Sequence, residues 1–92
     1  ACPHAEAFAL RITQAITFGA PAYNAGDHDA CARAYREAAG EIVAKARDGA
    51  GCADVARLLA AALEKAAPLG ATQAAWTLRH AFDEILTELR AS

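Results

Sequence analysis

Apolar residues recur every three or four positions along nearly the whole chain, the spacing that gathers them on one stripe of an α-helix. Four such stretches stand out. The first covers about 3–24, where Phe8, Ile12, Ile16, Gly19 and Tyr23 make the stripe and Pro3 suits the first turn. Pro21 cannot donate to the carbonyl of Thr17, and Gly19 lowers helix preference, which predicts a kink or short break near the end. The second covers about 28–47, with Cys31, Tyr35, Ala38, Ile42 and Ala46 inward and Arg33, Glu37, Glu41 and Lys45 forming a solvated outer ladder. The third, about 52–67, buries Val55, Leu58, Leu59, Ala62, Leu63 and Ala66. The fourth, about 72–90, is the clearest: Ala75, Leu78, Phe82, Ile85 and Leu89 alternate three and four apart, with Leu86 widening the seam.

The connectors carry stop and start signals. In Asn24-Ala25-Gly26-Asp27, Gly26 can take a left-handed conformation and Asp27 can cap the next helix. Asp48-Gly49-Ala50-Gly51 reads as the middle turn, Pro68-Leu69-Gly70 ends the third helix, and Thr72 is a candidate cap for the fourth. Connections of a few residues make neighbouring helices antiparallel. The pattern therefore predicts one all-α domain, an antiparallel up-down-up-down four-helix bundle.

Composition changes this picture in one respect. Of the apolar residues among the 92, 28 are Ala and only 20 are large, so the core is thin and the helices can approach closely. A small scaffold of this kind gains from a covalent staple. Cys2 opens the first helix and Cys52 the third, so an up-down bundle brings both to one end, and a Cys2–Cys52 disulfide is expected. Such a loop closure stabilises by roughly 2–4 kcal/mol. Cys31 falls near the other end and is expected to be a buried thiol; the alternative is that all three cysteines are reduced core residues. The disulfide implies an oxidising compartment, periplasmic or secreted. The opening Ala1-Cys2-Pro3, with no methionine in the chain, reads as a processed or trimmed N-terminus, as signal-peptide removal would leave.

Charge and motifs exclude several classes. Nine basic and eleven acidic residues, interspersed and summing to −2, give no footprint for nucleic acid or an anionic membrane surface. No stretch approaches the roughly 18 apolar residues of a membrane span. His4 and His28 fall at opposite ends of a helix about 30 Å long, His80 lies on the last helix, and no Cys-x-x-Cys occurs, so neither a metal site nor a cofactor is expected. Phosphate loops, dinucleotide fingerprints and nucleophile elbows are absent from the sequence, which points to a non-catalytic protein.

Phe18-Gly19, Gly26-Asp27, Cys31, Tyr35 and Ala38 are spaced as in a tetratricopeptide unit, and the segment 18–38 resembles a single helical hairpin of that family. The resemblance implies two closely crossing helices with small residues at their contact, and a binding role. Pro21 departs from the pattern, which does not return about 34 residues later, so the resemblance covers one hairpin rather than a stacked array.

Among polar candidates, Asp27-His28-Asp29 reads as a first turn that complements the helix dipole. His80, ahead of Asp83 and Glu84 by three and four residues, is expected to form an ion pair along its helix. Trp76 sits off the seam, where it fills the edge of the bundle or stands partly exposed; edge filling is the expected role. Tyr23, Asn24, His28 and Trp76 should converge where the first helix is interrupted, and with the freed Thr17 carbonyl they could line a small apolar pocket. The expected function is a non-catalytic, exported, disulfide-stabilised module that binds a protein partner through this end. The alternative is a carrier holding a small apolar ligand there.

Overall fold

The computed structural model describes residues 2–48 and 52–91. It contains α1 (Ala5–Asn24), α2 (His28–Asp48), α3 (Ala53–Ala66) and α4 (Ala71–Ala91), and no strand among the described residues. Gly49, Ala50 and Gly51, the rest of the expected middle turn, lie outside the described residues.

Each boundary has a local cause. At the end of α1, Gly26 takes φ +92°, its N–H bonds to the Tyr23 carbonyl at 3.0 Å, and the Asp27 N–H bonds to the Ala22 carbonyl at 2.9 Å. This pair of bonds around a left-handed glycine satisfies carbonyls that the finished helix leaves open. Asp27 then caps α2, accepting the Ala30 N–H on Oδ1 at 3.1 Å. Pro68 cannot extend α3, and the chain leaves through a turn closed by the Leu69 N–H on the Ala66 carbonyl at 2.9 Å.

Two expectations need correction here. The break in α1 does not form: the helix runs through Pro21 to Asn24. Pro21 withholds one hydrogen bond from the Thr17 carbonyl, but both residues are exposed, so water can take that bond's place at little cost. Nor does Thr72 cap α4. The Gly70 carbonyl accepts the first helical bond, from Ala74 at 2.9 Å, and Thr72 lies inside the first turn with its hydroxyl directed to His28.

The four helices form an all-α bundle in which α2 packs against α1, α3 and α4. Phe8, Ile12, Tyr35, Ile42, Leu59, Leu78, Phe82 and Ile85 are buried at its centre, between alanines such as Ala38, Ala39 and Ala74 that let the axes approach. Gly19 is the tightest of these approaches, with no side chain between α1 and the ring of Tyr35. Among the described residues α1 and α3 do not pack on each other. Their starts are nevertheless joined by a Cys2–Cys52 disulfide with Cα atoms 4.6 Å apart, as an up-down-up-down order allows. Cys31 is free and buried towards the other end.

Candidate functional site

That other end gathers the last two turns of α1, the first two turns of α2 and the second and third turns of α4. Ala20, Tyr23 and Asn24 come from α1, Cys31 and Tyr35 from α2, and Ala75, Trp76 and Arg79 from α4. They line a cavity of about 190 Å³. The spacing explains the grouping: residues three and four apart on a helix share a face, so Ala20 with Tyr23 and Asn24, Cys31 with Tyr35, and Ala75 and Trp76 with Arg79 point the same way.

The mouth is a row of rings. Tyr23 stacks on His28 with centroids 4.1 Å apart and planes at 23°, and meets Trp76 edge-on at 5.8 Å and 75°. The Trp76 indole N–H donates to the Tyr23 hydroxyl at 2.9 Å. His28 is itself tied to α4 through Nδ1 and the Thr72 hydroxyl, 2.9 Å apart. Tyr23 is thus held from both sides by groups on two other helices, which fixes the wall of the cavity. Trp76 is 49% exposed. Edge filling does not describe it: one part of the ring packs on Tyr23, another lies 5.8 Å from the His80 ring, and the rest is open to solvent.

The floor is polar and largely shielded. Tyr35 is 2% exposed and packs edge-on against Phe82 at 5.4 Å. Burial pushes the Cys31 thiol above its usual value, and the neighbouring Tyr35 hydroxyl and Arg79 pull it only partly back. Burial likewise raises Tyr35, helped by Cys31 and opposed by Arg79. Burial alone would lower Arg79, but the Asp83 carboxylate and the Tyr35 hydroxyl outweigh it and hold the guanidinium charged. At neutral pH the floor therefore carries a neutral thiol, a neutral phenol and a cation.

Of the residues expected at the site, Tyr23, Asn24 and Trp76 line the cavity. His28 stands behind Tyr23 and faces a separate polar cleft with Gly26, Asp27, Asp29 and Thr72. Thr17 is not in the lining, because the uninterrupted α1 keeps it on the outer side. The expected ion pair of His80 with Asp83 or Glu84 does not form: Asp83 pairs with Arg79 Nε at 3.2 Å, and the His80 ring lies beside Trp76. Sequence reasoning missed Arg79, Tyr35 and Cys31 as site residues. The available signal was helical spacing, since Arg79 follows Trp76 by one turn and Tyr35 follows Cys31 by one turn.

Among the described residues no helix is long and apolar enough to cross a membrane, and no three His, Cys, Asp or Glu side chains are grouped to hold a metal. Comparisons with protein-family models, curated proteins and solved structures return no match to this chain.

Proposed function

We propose that this chain is a non-catalytic helical binding module, working in an oxidising compartment, whose contact region is the Tyr23–Trp76 end of the bundle. The observation that carries the reading is the cavity of about 190 Å³ between α1, α2 and α4, with a half-exposed tryptophan at its mouth and an arginine in its lining. A thin core would gain from filling such a space, and an indole that is apolar on its face and polar at its N–H suits the mouth of a binding site. The Cys2–Cys52 disulfide supports a periplasmic or secreted setting, where such bonds persist. Between a protein-contact surface and a small-ligand carrier, the buried floor of Tyr35 and Cys31 favours the second, because a flat contact surface has no use for depth.

Truncation of Trp76 tests the reading. With about half of its surface already in water, Trp76→Ala should cost about 1–2 kcal/mol, below the 3–5 kcal/mol typical of a fully buried aromatic, and leave the helical content intact. It should also remove saturable binding of a small aromatic probe such as phenol. A large loss of stability, mostly restored in Trp76→Phe and accompanied by unchanged phenol binding, would reduce the cluster to ordinary packing.

A further inference from the structure

We infer that the cavity between α1, α2 and α4 is selective for a small monocyclic aromatic carboxylate, its ring between Tyr23, Tyr35 and Trp76 and its carboxylate on the guanidinium of Arg79. The inference rests on the reading of this end as the binding site and adds the chemical class of the ligand.

Size sets the first limit. An apolar cavity of about 150 Å³ accommodates benzene. The present one, at about 190 Å³, has room for one six-membered ring and a substituent of a few atoms. Shape and wall chemistry set the second. Three aromatic side chains line the space, while Ala20 and Ala75 contribute only methyl groups, which leaves a chamber suited to a flat group with aromatic edges and faces around it.

Charge sets the third. Arg79 is the one charged residue in the lining. Its Nε is engaged by Asp83 at 3.2 Å and the guanidinium also meets the Tyr35 hydroxyl, contacts that hold it in place while others of its five N–H donors are left for a ligand. Asp83 is itself 53% exposed at its side chain, so solvent screens its charge more than that of Arg79 at 32%. No carboxylate shares the lining; Asp27 and Asp29 line the separate cleft beside His28. Neutral donors reinforce the preference. The Tyr23 hydroxyl accepts from Trp76 and keeps its own proton to give, and the Asn24 amide lies at the rim. A guanidinium fork matches carboxylate and phosphate alike, and the planar carboxylate is the smaller and flatter of the two, as the chamber requires.

The test uses the intact disulfide-bonded protein, titrated calorimetrically with benzoate, with benzyl alcohol as a neutral ring of similar size, and with acetate as a carboxylate lacking the ring. Fluorescence of Trp76, the single tryptophan of the chain, provides a second readout at the site. Benzoate should bind at one site about ten- to a hundredfold more tightly than benzyl alcohol, the gain of one charge-assisted contact, and acetate should not saturate in the same range. Arg79→Gln should remove the preference, so that benzoate and benzyl alcohol bind equally in that variant. Ala20→Leu, which fills the chamber from the half-buried end of α1, should abolish both. Equal binding of benzoate and benzyl alcohol, unaffected by Arg79→Gln, would overturn the carboxylate class while the binding-site reading stands. No saturable response to either ring compound would overturn both.

Discussion

Gly19 and Gly40 both lie in the interior of long helices, yet replacing each with alanine should move stability in opposite directions. In either helix the change removes backbone freedom from the unfolded chain and contributes about 0.5–1 kcal/mol of stabilisation. At Gly40, exposed on α2 with nothing within 4 Å of the added methyl, that gain is the whole effect. At Gly19 the new Cβ would stand 2.5 Å from Tyr35 Cε1 and 3.1 Å from Cys31 Sγ. The ring is backed on one side, since Tyr35 is 2% exposed and rests edge-on against Phe82, and borders the cavity on another. Overpacking of this kind costs about 1–3 kcal/mol, and at 2.5 Å the upper part of the range applies, so a net loss of about 1–2 kcal/mol is expected. For a chain of this size that lowers the melting temperature by about 4–8 °C per kcal/mol. Urea denaturation followed by circular dichroism measures both variants. The one direction open to Tyr35 is the cavity it lines, so Gly19→Ala should also weaken ligand binding. If Gly19→Ala stabilises as much as Gly40→Ala, the close crossing of α1 and α2 is wrong.

Other consequences are equally direct. Reducing the Cys2–Cys52 bond, which spans 50 residues of sequence, should lower unfolding free energy by about 2–4 kcal/mol, and Cys31 should react with an alkylating reagent only when the protein unfolds; native labelling at the denatured rate would contradict its burial. Phe82→Ala should cost about 3–5 kcal/mol in urea titrations, against no more than about 0.5 kcal/mol for Glu41→Ala, and similar losses would mean that the helix faces are misassigned. The hydrogen bond from Arg11 holds the Glu41 carboxyl below its ordinary range, so its small contribution should be present above the pKa of the unfolded carboxylate and fade as pH falls through the lower folded value.

The bundle was legible because its signals are local and periodic. The 3-4 seam of Leu78, Phe82 and Ile85 in α4, the left-handed Gly26 with its Asp27 cap, and the coincidence of Cys2 and Cys52 at one end all follow from spacing plus short connectors. At Pro21 the short break does not form, because the lost bond falls near the end of α1 on an exposed face, where the Thr17 carbonyl can turn to water. The site was half legible. Tyr23 and Trp76 could be placed at one end from topology, but how far Trp76 stands out depends on the rotation of α4 about its axis, which spacing alone does not set. Arg79 reads as a surface charge in the sequence. Only the meeting of α2 and α4 beside Tyr35 turns it into part of a cavity. For His80 helical spacing offered Asp83 and Glu84, but the guanidinium of Arg79 takes the Asp83 carboxylate and the imidazole lies against Trp76.

Whether the α1, α2 and α4 end of this bundle receives a small molecule is read residue by residue in a backbone amide correlation spectrum of the wild-type protein titrated with phenol. A neutral ring is chosen so that the result does not depend on Arg79. Saturable shifts should concentrate on Tyr23, Asn24, Cys31, Tyr35, Trp76 and Arg79, residues that line the cavity. Shifts that never saturate, or that gather instead along the groove of Phe8, Leu10, Arg11 and Ile42 at the disulfide end, would contradict binding there.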